Sequence, residues 1–407
     1  MKRIQGADLF CGAGGTTSGL LLAVKQLQRE CDILAINHWN IAIDTHTRNH
    51  PQLRHLCESL DNVDPRKVIP SGRLDILCAS PECTHHSIAR GGKPCAEQSR
   101  ATAWHILRWA EALRIESILI ENVKEFRTWG PLGKRGRPLK NGRSKTYVAF
   151  LNALRSLDYE IEDRVVNAAD FGDATSRERL LILCRRGRKV TWPDPTHAGN
   201  WRPAREIVDF SIKGKSIFGR TRPLSRNTLR RIEVGLRKFG GEPFVLHLTH
   251  SGGDRVRSLN RPLPTITTAH RGEMALAQFI VHLKGTQDSH IENSARSLDE
   301  PVRTITTVPC VALCEFLIKY YGSSDAASLS GPLPTVTTKA RFALVEAIRK
   351  DGRFDIRLRM FKAHEYAAAM SFADGYQFAG NIGEQIRQIG NAVPVKLAAA
   401  HCKQLLS

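Results

Sequence analysis

The chain has no apolar run long enough to span a membrane, and its opening residues, Met1-Lys2-Arg3-Ile4-Gln5-Gly6, lack the apolar stretch of a secretion signal. Both absences lead us to expect an intracellular protein in a reducing compartment. Acidic residues are in short supply. Forty Asp and Glu face 60 Lys and Arg, a net charge of +20. That excess goes well beyond what solubility asks of a surface and points to a polyanionic partner, nucleic acid above all. The ten cysteines are scattered and form no disulfide framework. The close pairs, Cys78 with Cys83 and Cys310 with Cys314, have no second pair at zinc spacing, so no structural metal is expected. There is also no full G-x-G-x-x-G and no Walker lysine, so nothing specifies a nucleotide phosphate.

What is present is an alternation of strand and helix. Ala7-Asp8-Leu9-Phe10 ends a short strand, Cys11-Gly12-Ala13-Gly14-Gly15 turns, and Leu21-Leu22-Ala23-Val24 reads as helix. Glycines let a backbone approach a ligand closely, and a helix start offers unpaired N–H groups. A tight turn in any doubly wound sheet would look the same. The second strand, Asp32 to Ile36, runs into Asn37-His38-Trp39-Asn40. Nucleoside-binding sheets usually carry an acid there for the ribose. Here Asn37 or His38 stands in its place, and Trp39 either stacks on a base or packs in the core.

The third apolar run, Leu74-Asp75-Ile76-Leu77-Cys78-Ala79, leads into Ser80-Pro81-Glu82-Cys83-Thr84-His85-His86. Open α/β sheets hold their reactive groups outside the carboxyl ends of the strands, and Cys83 is placed there. His85, His86, Arg90 and Lys93 make its surroundings positive, which favours a nucleophilic thiolate. The alternative is a small apolar residue with no special role. A fourth buried strand, Ser117 to Ile120, is followed by Glu121-Asn122-Val123. A carboxylate at that point is costly without a partner and suggests function. Strands at Tyr159–Val166 and Leu180–Cys184 flank Arg177-Glu178-Arg179, whose arginines share one side of an extended segment or form a surface ion-pair ladder. The basic loops around Arg90-Gly91-Gly92-Lys93 and Lys134–Lys145 are candidates for phosphate contact.

From about residue 187 the texture changes to Pro, Gly, Ser and Arg. Three related segments follow, Pro264-Thr265-Ile266-Thr267-Thr268, Arg303-Thr304-Ile305-Thr306-Thr307 and Pro334-Thr335-Val336-Thr337-Thr338, each after a Phe-led apolar run. This predicts a second, β-rich domain with three repeats. Basic residues Arg255, Arg257 and Arg271 surround its first copy. The last fifty residues return to α/β texture through Gly390-Asn391-Ala392-Val393-Pro394 and a closing helix.

Several of these segments together resemble one family, the DNA (cytosine-5) methyltransferases, of bacterial or phage type. Asp8-Leu9-Phe10-Cys11-Gly12-Ala13-Gly14-Gly15 is similar to its first motif, Ser80-Pro81-Glu82-Cys83 to its Pro-Cys motif, Glu121-Asn122-Val123 to its Glu-Asn-Val and Arg177-Glu178-Arg179 to its Arg-x-Arg. Gln388-Ile389-Gly390-Asn391-Ala392-Val393-Pro394 is similar to its closing motif, with Arg359 to Tyr376 before it. The resemblance covers about residues 6–186 and 355–406. It departs from the family at Glu82, where proline precedes the cysteine, at Thr84, and at His38, where an acid usually binds the ribose.

The resemblance implies a Rossmann-like, doubly wound mixed sheet of the class I methyltransferase type, with an inserted β-rich target-recognition domain. The expected division is a catalytic domain at 1–186, a recognition domain at 187–350 and a returning segment at 351–407. It implies methyl transfer from S-adenosylmethionine to C5 of a flipped-out cytosine in duplex DNA. Cys83, Glu121, Arg177 and Arg179 would be catalytic. Phe10, Gly12, Ala13, Gly14, Gly15, His38, Trp39, Asn391 and Val393 would line the cofactor site. Arg90, Lys93, Arg255, Arg257 and Arg271 would meet DNA. The expected enzyme is a cytoplasmic monomer with no membrane or obligate protein partner, in a bacterial cell or phage-infected host. Three alternatives remain open in the sequence: the same chemistry on RNA, a silent DNA-binding relative, and a modified methyl donor.

Overall fold

The computed structural model describes residues 3–81, 101–133, 139–212, 215–216, 220–222 and 353–407, with the strands 245–247, 274–282, 311–319, 333–334 and 342–350. The chain divides into two compact units, Met1–Trp201 with Met370–Ser407, and Arg202–Ala369.

The first unit runs β1 (Ile4–Leu9), α1 (Gly15–Gln26), β2 (Cys31–Asn37), α2 (Asn40–Asn49), β3 (Arg54–Cys57), α3 (Pro65–Val68) and β4 (Arg73–Ala79). It continues through α4 (Trp104–Ala112), β5 (Arg114–Asn122), α5 (Lys145–Arg155), β6 (Tyr159–Asn167), β7 (Thr175–Ser176) and β8 (Glu178–Arg186). It closes with α6 (Ile382–Asn391) and α7 (Val395–Leu406). Seven strands form one sheet in the order β3-β2-β1-β4-β5-β8-β6. β8 runs antiparallel to both of its neighbours, while the pairs from β3 to β5 are parallel.

The strands that the apolar runs predict are there because a sheet covered on both faces needs side chains that can be buried on both. Ile76, Cys78, Leu119, Leu181 and Leu183 point into a core shared with Leu20, Ala23, Leu397 and Ala398. Leu77, Ala79, Ile118, Ile120, Leu180 and Ile182 point into the opposite core with Ile106, Trp109, Phe126 and Phe150. α4 is helical because Ile106, Trp109 and Ala110 fall on one buried face.

α1 and α7 pack almost backbone to backbone. A Cβ on Gly15 would lie 2.3 Å from the Val393 carbonyl oxygen, and one on Gly19 2.5 Å from the Ala398 Cβ. Only glycine at both positions, one helical turn apart, permits that approach.

In the second unit the strands are ordered Val245–His247, Met274–His282, Val311–Lys319, Phe342–Lys350, Arg353–Met360 and Lys215–Ser216. The three Phe-led apolar runs thus lie in one sheet, and Val311–Lys319 pairs with both of the other strands that carry them. The Thr-rich segments at 265–268, 304–307 and 335–338 lie outside the described residues. A buried cluster holds the end of this unit together. Arg359 donates to both carboxylate oxygens of Glu365, at 2.8 Å each, and to the carbonyls of Asp209 and Ile212. Glu365 also accepts the amides of Asp209 and Lys362.

Candidate active site

The chain leaves β1 toward β2 and β3 on one side, then returns to β4 and β5 on the other. The carboxyl ends of β1 and β4 therefore open a crevice at the point where the winding reverses, the usual ligand position in such sheets. Leu9 is level with Ala79, and the Ser80 amide donates to the Leu9 carbonyl at 3.2 Å. β5 ends beside β4, with Ile120 level with Ala79. Because β8 is antiparallel, its beginning reaches the same end of the sheet. Four segments converge there: Phe10–Gly15, Ser80–Pro81, Glu121–Asn122 and Glu178–Arg179.

Arg179 Nε donates to Glu121 Oε1 at 2.9 Å, and both residues are buried. The carboxylate that the sequence singles out as costly thus has a charged partner from the neighbouring strand. The second guanidinium edge is steadied by the Glu178 carbonyl at 2.6 Å. The Asn122 amide group donates to the Pro81 carbonyl at 3.2 Å, and its oxygen accepts the Val123 amide. Asn122 therefore ties the end of β5 to the segment two residues ahead of Cys83. Cys83 itself, with Arg90 and Lys93, lies outside the described residues, as do Arg255, Arg257 and Arg271. Arg177 is buried, and its backbone bonds to Thr175 and Ala168 hold it in the loop before β8.

On the other side of the crevice the turn after β1 takes left-handed backbone at Phe10, Gly12 and Gly14, with φ of 61°, 53° and 93°. α1 begins at Gly15 with no side-chain cap from Gly14. Beneath the turn lies Asp8, fully buried. Its Oδ2 accepts the Thr17 hydroxyl at 2.6 Å, and its Oδ1 has no hydrogen-bond partner among the described residues. Burial pushes the Asp8 carboxyl up to about 7, against the hydrogen bonds from Thr17. At the end of β2, Trp39 is half-buried, and Arg387 stacks on its ring at 4.6 Å. His38 is exposed.

The closing segment lies against the start of α1. Val393 and Ala392 are buried next to Gly15, while Asn391 is exposed at the end of α6. Gly15 is thus occupied by contact with Val393, a packing role that the sequence does not distinguish from ligand contact. α7 starts after Pro394, which offers no side-chain cap. The cap comes from far away in sequence. Asp173 accepts the amides of Lys396 at 3.3 Å and Leu397 at 2.9 Å, and the Lys396 ammonium donates to the Gly172 carbonyl. Sequence reading assigns no role to Asn122 or Asp173. The first stands inside a recognised motif but shows its use only through Pro81, and the second has its partner 224 residues away.

The family model of C-5 cytosine-specific DNA methylases matches residues 4–240 and 248–407. The chain belongs to this family. Its relatives among characterised methylases include Type II methyltransferase M.AgeI of Thalassovita gelatinovora, 24% identical over 97% of this chain and 97% of that protein. M1.HphI of Haemophilus parahaemolyticus is 22% identical over 98% of this chain and 86% of its own length. M.HhaI of the same organism is 26% identical over 72% and 83%. Among solved structures, Spodoptera frugiperda DNMT2 superposes with a TM-score of 0.58 at 14% identity, covering 99% of this chain and all of that one. Schizosaccharomyces pombe Dnmt2 gives 0.55 at 16% identity. At such identities the likeness is one of fold. The methylase is a Rossmann-like α/β enzyme that acts on cytosine in DNA and uses a methyl donor.

Proposed function

We propose that the methylase transfers a methyl group from S-adenosylmethionine to C5 of a cytosine swung out of duplex DNA, through a covalent bond between Cys83 and C6. The observation that carries this reading is the crevice at the β1/β4 reversal. There the Glu121–Arg179 pair and the Asn122-anchored approach to Cys83 face the glycine turn.

The donor's fit rests on residues of this chain. The left-handed turn at Phe10, Gly12 and Gly14 brings backbone close to a ligand, and the orphaned Asp8 oxygen suits a cationic guest. Trp39 offers a ring for the adenine, with the exposed His38 and Asn391 near it at the rim, while the buried Ala13, Gly15 and Val393 shape the site by packing beneath it. Bound S-adenosylmethionine supplies a methyl group on a cationic sulfur, which makes that carbon electrophilic.

Cytosine C5 is a weak nucleophile. Addition of the Cys83 thiolate to C6 pushes the ring electrons toward C5, and Glu121 holds the N3 and N4 edge while N3 gains a proton. Arg179, helped by Arg177, balances charge at O2. After the methyl group is on C5, a base removes the C5 proton, the C5–C6 double bond re-forms and Cys83 leaves as thiolate. The target carbon is inaccessible in a stacked helix, so the base must be extruded at a cost of a few kcal/mol. Arg90 and Lys93 are the candidate groups closing behind it. The unit 202–369, with Arg255, Arg257 and Arg271, is the candidate for sequence recognition. The Type II methyltransferase relatives support a place in restriction–modification. We read the enzyme as a cytoplasmic monomer.

Duplex DNA carrying 5-fluorocytosine tests this reading. The fluorine at C5 blocks the last elimination, so a competent Cys83 stays bonded to DNA as a denaturant-resistant adduct when S-adenosylmethionine is present. Cys83→Ser should bind DNA and form no adduct. Adduct formation by that variant would refute the assignment.

A further inference from the structure

Under the glycine turn lies a chain of hydrogen-bonded side chains. The Thr17 hydroxyl lies 2.6 Å from Asp8 Oδ2 and 2.9 Å from His46 Nε2. His46 Nδ1 lies 2.8 Å from His55 Nε2. Burial and the neighbouring His50 and His55 hold His46 well below its usual imidazole range. The chain links His55, His46, Thr17 and Asp8, drawing on β3, α2, α1 and β1. A second anchor stands beside it. Tyr376 donates to the Ala13 carbonyl at 2.6 Å, and its oxygen faces His50 Nε2 at 3.2 Å. Both anchors meet at Gly14, where a Cβ would lie 2.7 Å from the Tyr376 oxygen and 3.0 Å from His46 Cδ2.

We propose that His46 and Tyr376 are positioning residues for the methyl-donor turn, forming the floor on which Gly14 rests and fixing the first turn of α1 through Thr17. This rests on the reading of Phe10–Gly15 as the donor site. The chain sets the Thr17 rotamer, and with it the attachment of α1 to the end of β1. Tyr376 sets the direction of the Ala13 carbonyl, and thereby the plane of the Ala13–Gly14 peptide. Neither residue has to touch the donor. Their effect is to hold the turn in its binding shape before the donor arrives, so that no ordering cost is charged against affinity.

The test is calorimetric titration of S-adenosylmethionine into the full chain and into His46→Leu, Thr17→Val, Tyr376→Phe and His46→Gln. Melting temperature, DNA affinity and kcat at saturating donor are measured on the same samples. Loss of one buried hydrogen bond that shapes the turn corresponds to a donor Kd raised about tenfold in His46→Leu and Tyr376→Phe. KM for the donor should rise in step, with kcat at saturation and DNA affinity within about twofold of the parent, as expected for binding energy lost equally in ground and transition states. His46→Gln keeps a group that can hydrogen-bond Thr17 in either direction and should recover most of the affinity. Thr17→Val and Tyr376→Phe remove one hydroxyl each from a chain that otherwise keeps its shape. A lower melting temperature with unchanged donor Kd in these variants would overturn the proposal, leaving a purely structural role. A fall in kcat alone would also overturn it. Failure of the unsubstituted protein to bind S-adenosylmethionine would remove the donor reading itself, and this inference with it.

Discussion

Glu121 on β5 and Arg179 on β8 are joined by a 2.9 Å ion pair at the end of the sheet where β4 stops. A paired carboxylate can face a substrate edge without moving, because its charge is already balanced and its rotamer is held. Breaking such a pair from one side leaves an uncompensated buried charge, at about 3–5 kcal/mol. Each side chain here keeps 11% of its exposure, so the lower end of that range applies. Glu121→Gln should lower the unfolding free energy in urea by about 3 kcal/mol, and Glu121→Gln with Arg179→Gln by less than the sum of the two single changes. Methyl transfer should fall at least about 100-fold in either single variant, as for loss of one preorganised electrostatic contact. Strict additivity of the stability losses would show that the pair has no mutual energy.

Asn122 gives a separable prediction. Its amide group holds the carbonyl of Pro81, two positions before Cys83 in the sequence. Asn122→Ala should cost about 1–2 kcal/mol of stability, as a lost buried hydrogen bond does. The larger effect should be on kcat, about tenfold to a hundredfold, since misplacing a nucleophile by an ångström is that costly. Single-turnover rates and donor Kd on the same protein decide it. A donor Kd that rises as much as the rate falls would place Asn122 on the cofactor side instead.

The parts of this enzyme that are legible in the sequence are those that repeat locally. Apolar runs such as Leu74–Ala79 announce buried parallel strands because both of their faces must be covered. The glycines after Phe10 announce a turn with positive φ. Glu121 is conspicuous because a carboxylate at the end of such a run needs a reason. The supports of the site are silent for the opposite reason. His46 reads as one more polar residue of a helix, Tyr376 lies 330 positions further along the chain, and Asp173 sits in a stretch that reads as a polar turn. Their partners are brought together only by the winding of the sheet and by the return of the C-terminus.

Gly19 tests how α7 is held. It has no positive φ, and its evident constraint is close packing: a Cβ there would lie 2.5 Å from the Ala398 Cβ, 2.7 Å from the Val395 carbonyl oxygen and 2.8 Å from the Ala399 amide nitrogen. Gly19→Ala would normally favour a helix by about 1 kcal/mol. Here the added methyl must push α7 away, and overpacking of that kind costs about 1–3 kcal/mol. A net fall in melting temperature is therefore expected, with partial recovery in Gly19→Ala combined with Ala398→Gly. A rise in the single variant would mean that the helices separate freely.

Asp173 makes the stability of the methylase depend on pH in an unusual direction. Burial pushes its carboxyl up to about 7 from an ordinary 3.8, while the Ser371 hydroxyl and the Leu397 and Lys396 amides pull it back. Between those two values the folded chain keeps a proton at Asp173 that the unfolded chain has released. Stability from this group is therefore greatest near pH 4 and falls as pH rises toward 7, by up to about 1.4 kcal/mol per pH unit. His50 and His401, held down to about 4 by burial, act in the opposite sense, with stability lost as pH falls below the usual imidazole value. The total curve mixes these contributions, but the difference between the enzyme and Asp173→Asn does not, because the histidines and Asp8 are common to both. Urea unfolding at intervals from pH 4.5 to 8 should show the variant gaining on the parent as pH rises, then levelling above about pH 7. A flat difference would mean that the two amides at the start of α7 stabilise the carboxylate enough to cancel its burial, and that Asp173 caps the helix as a permanent anion.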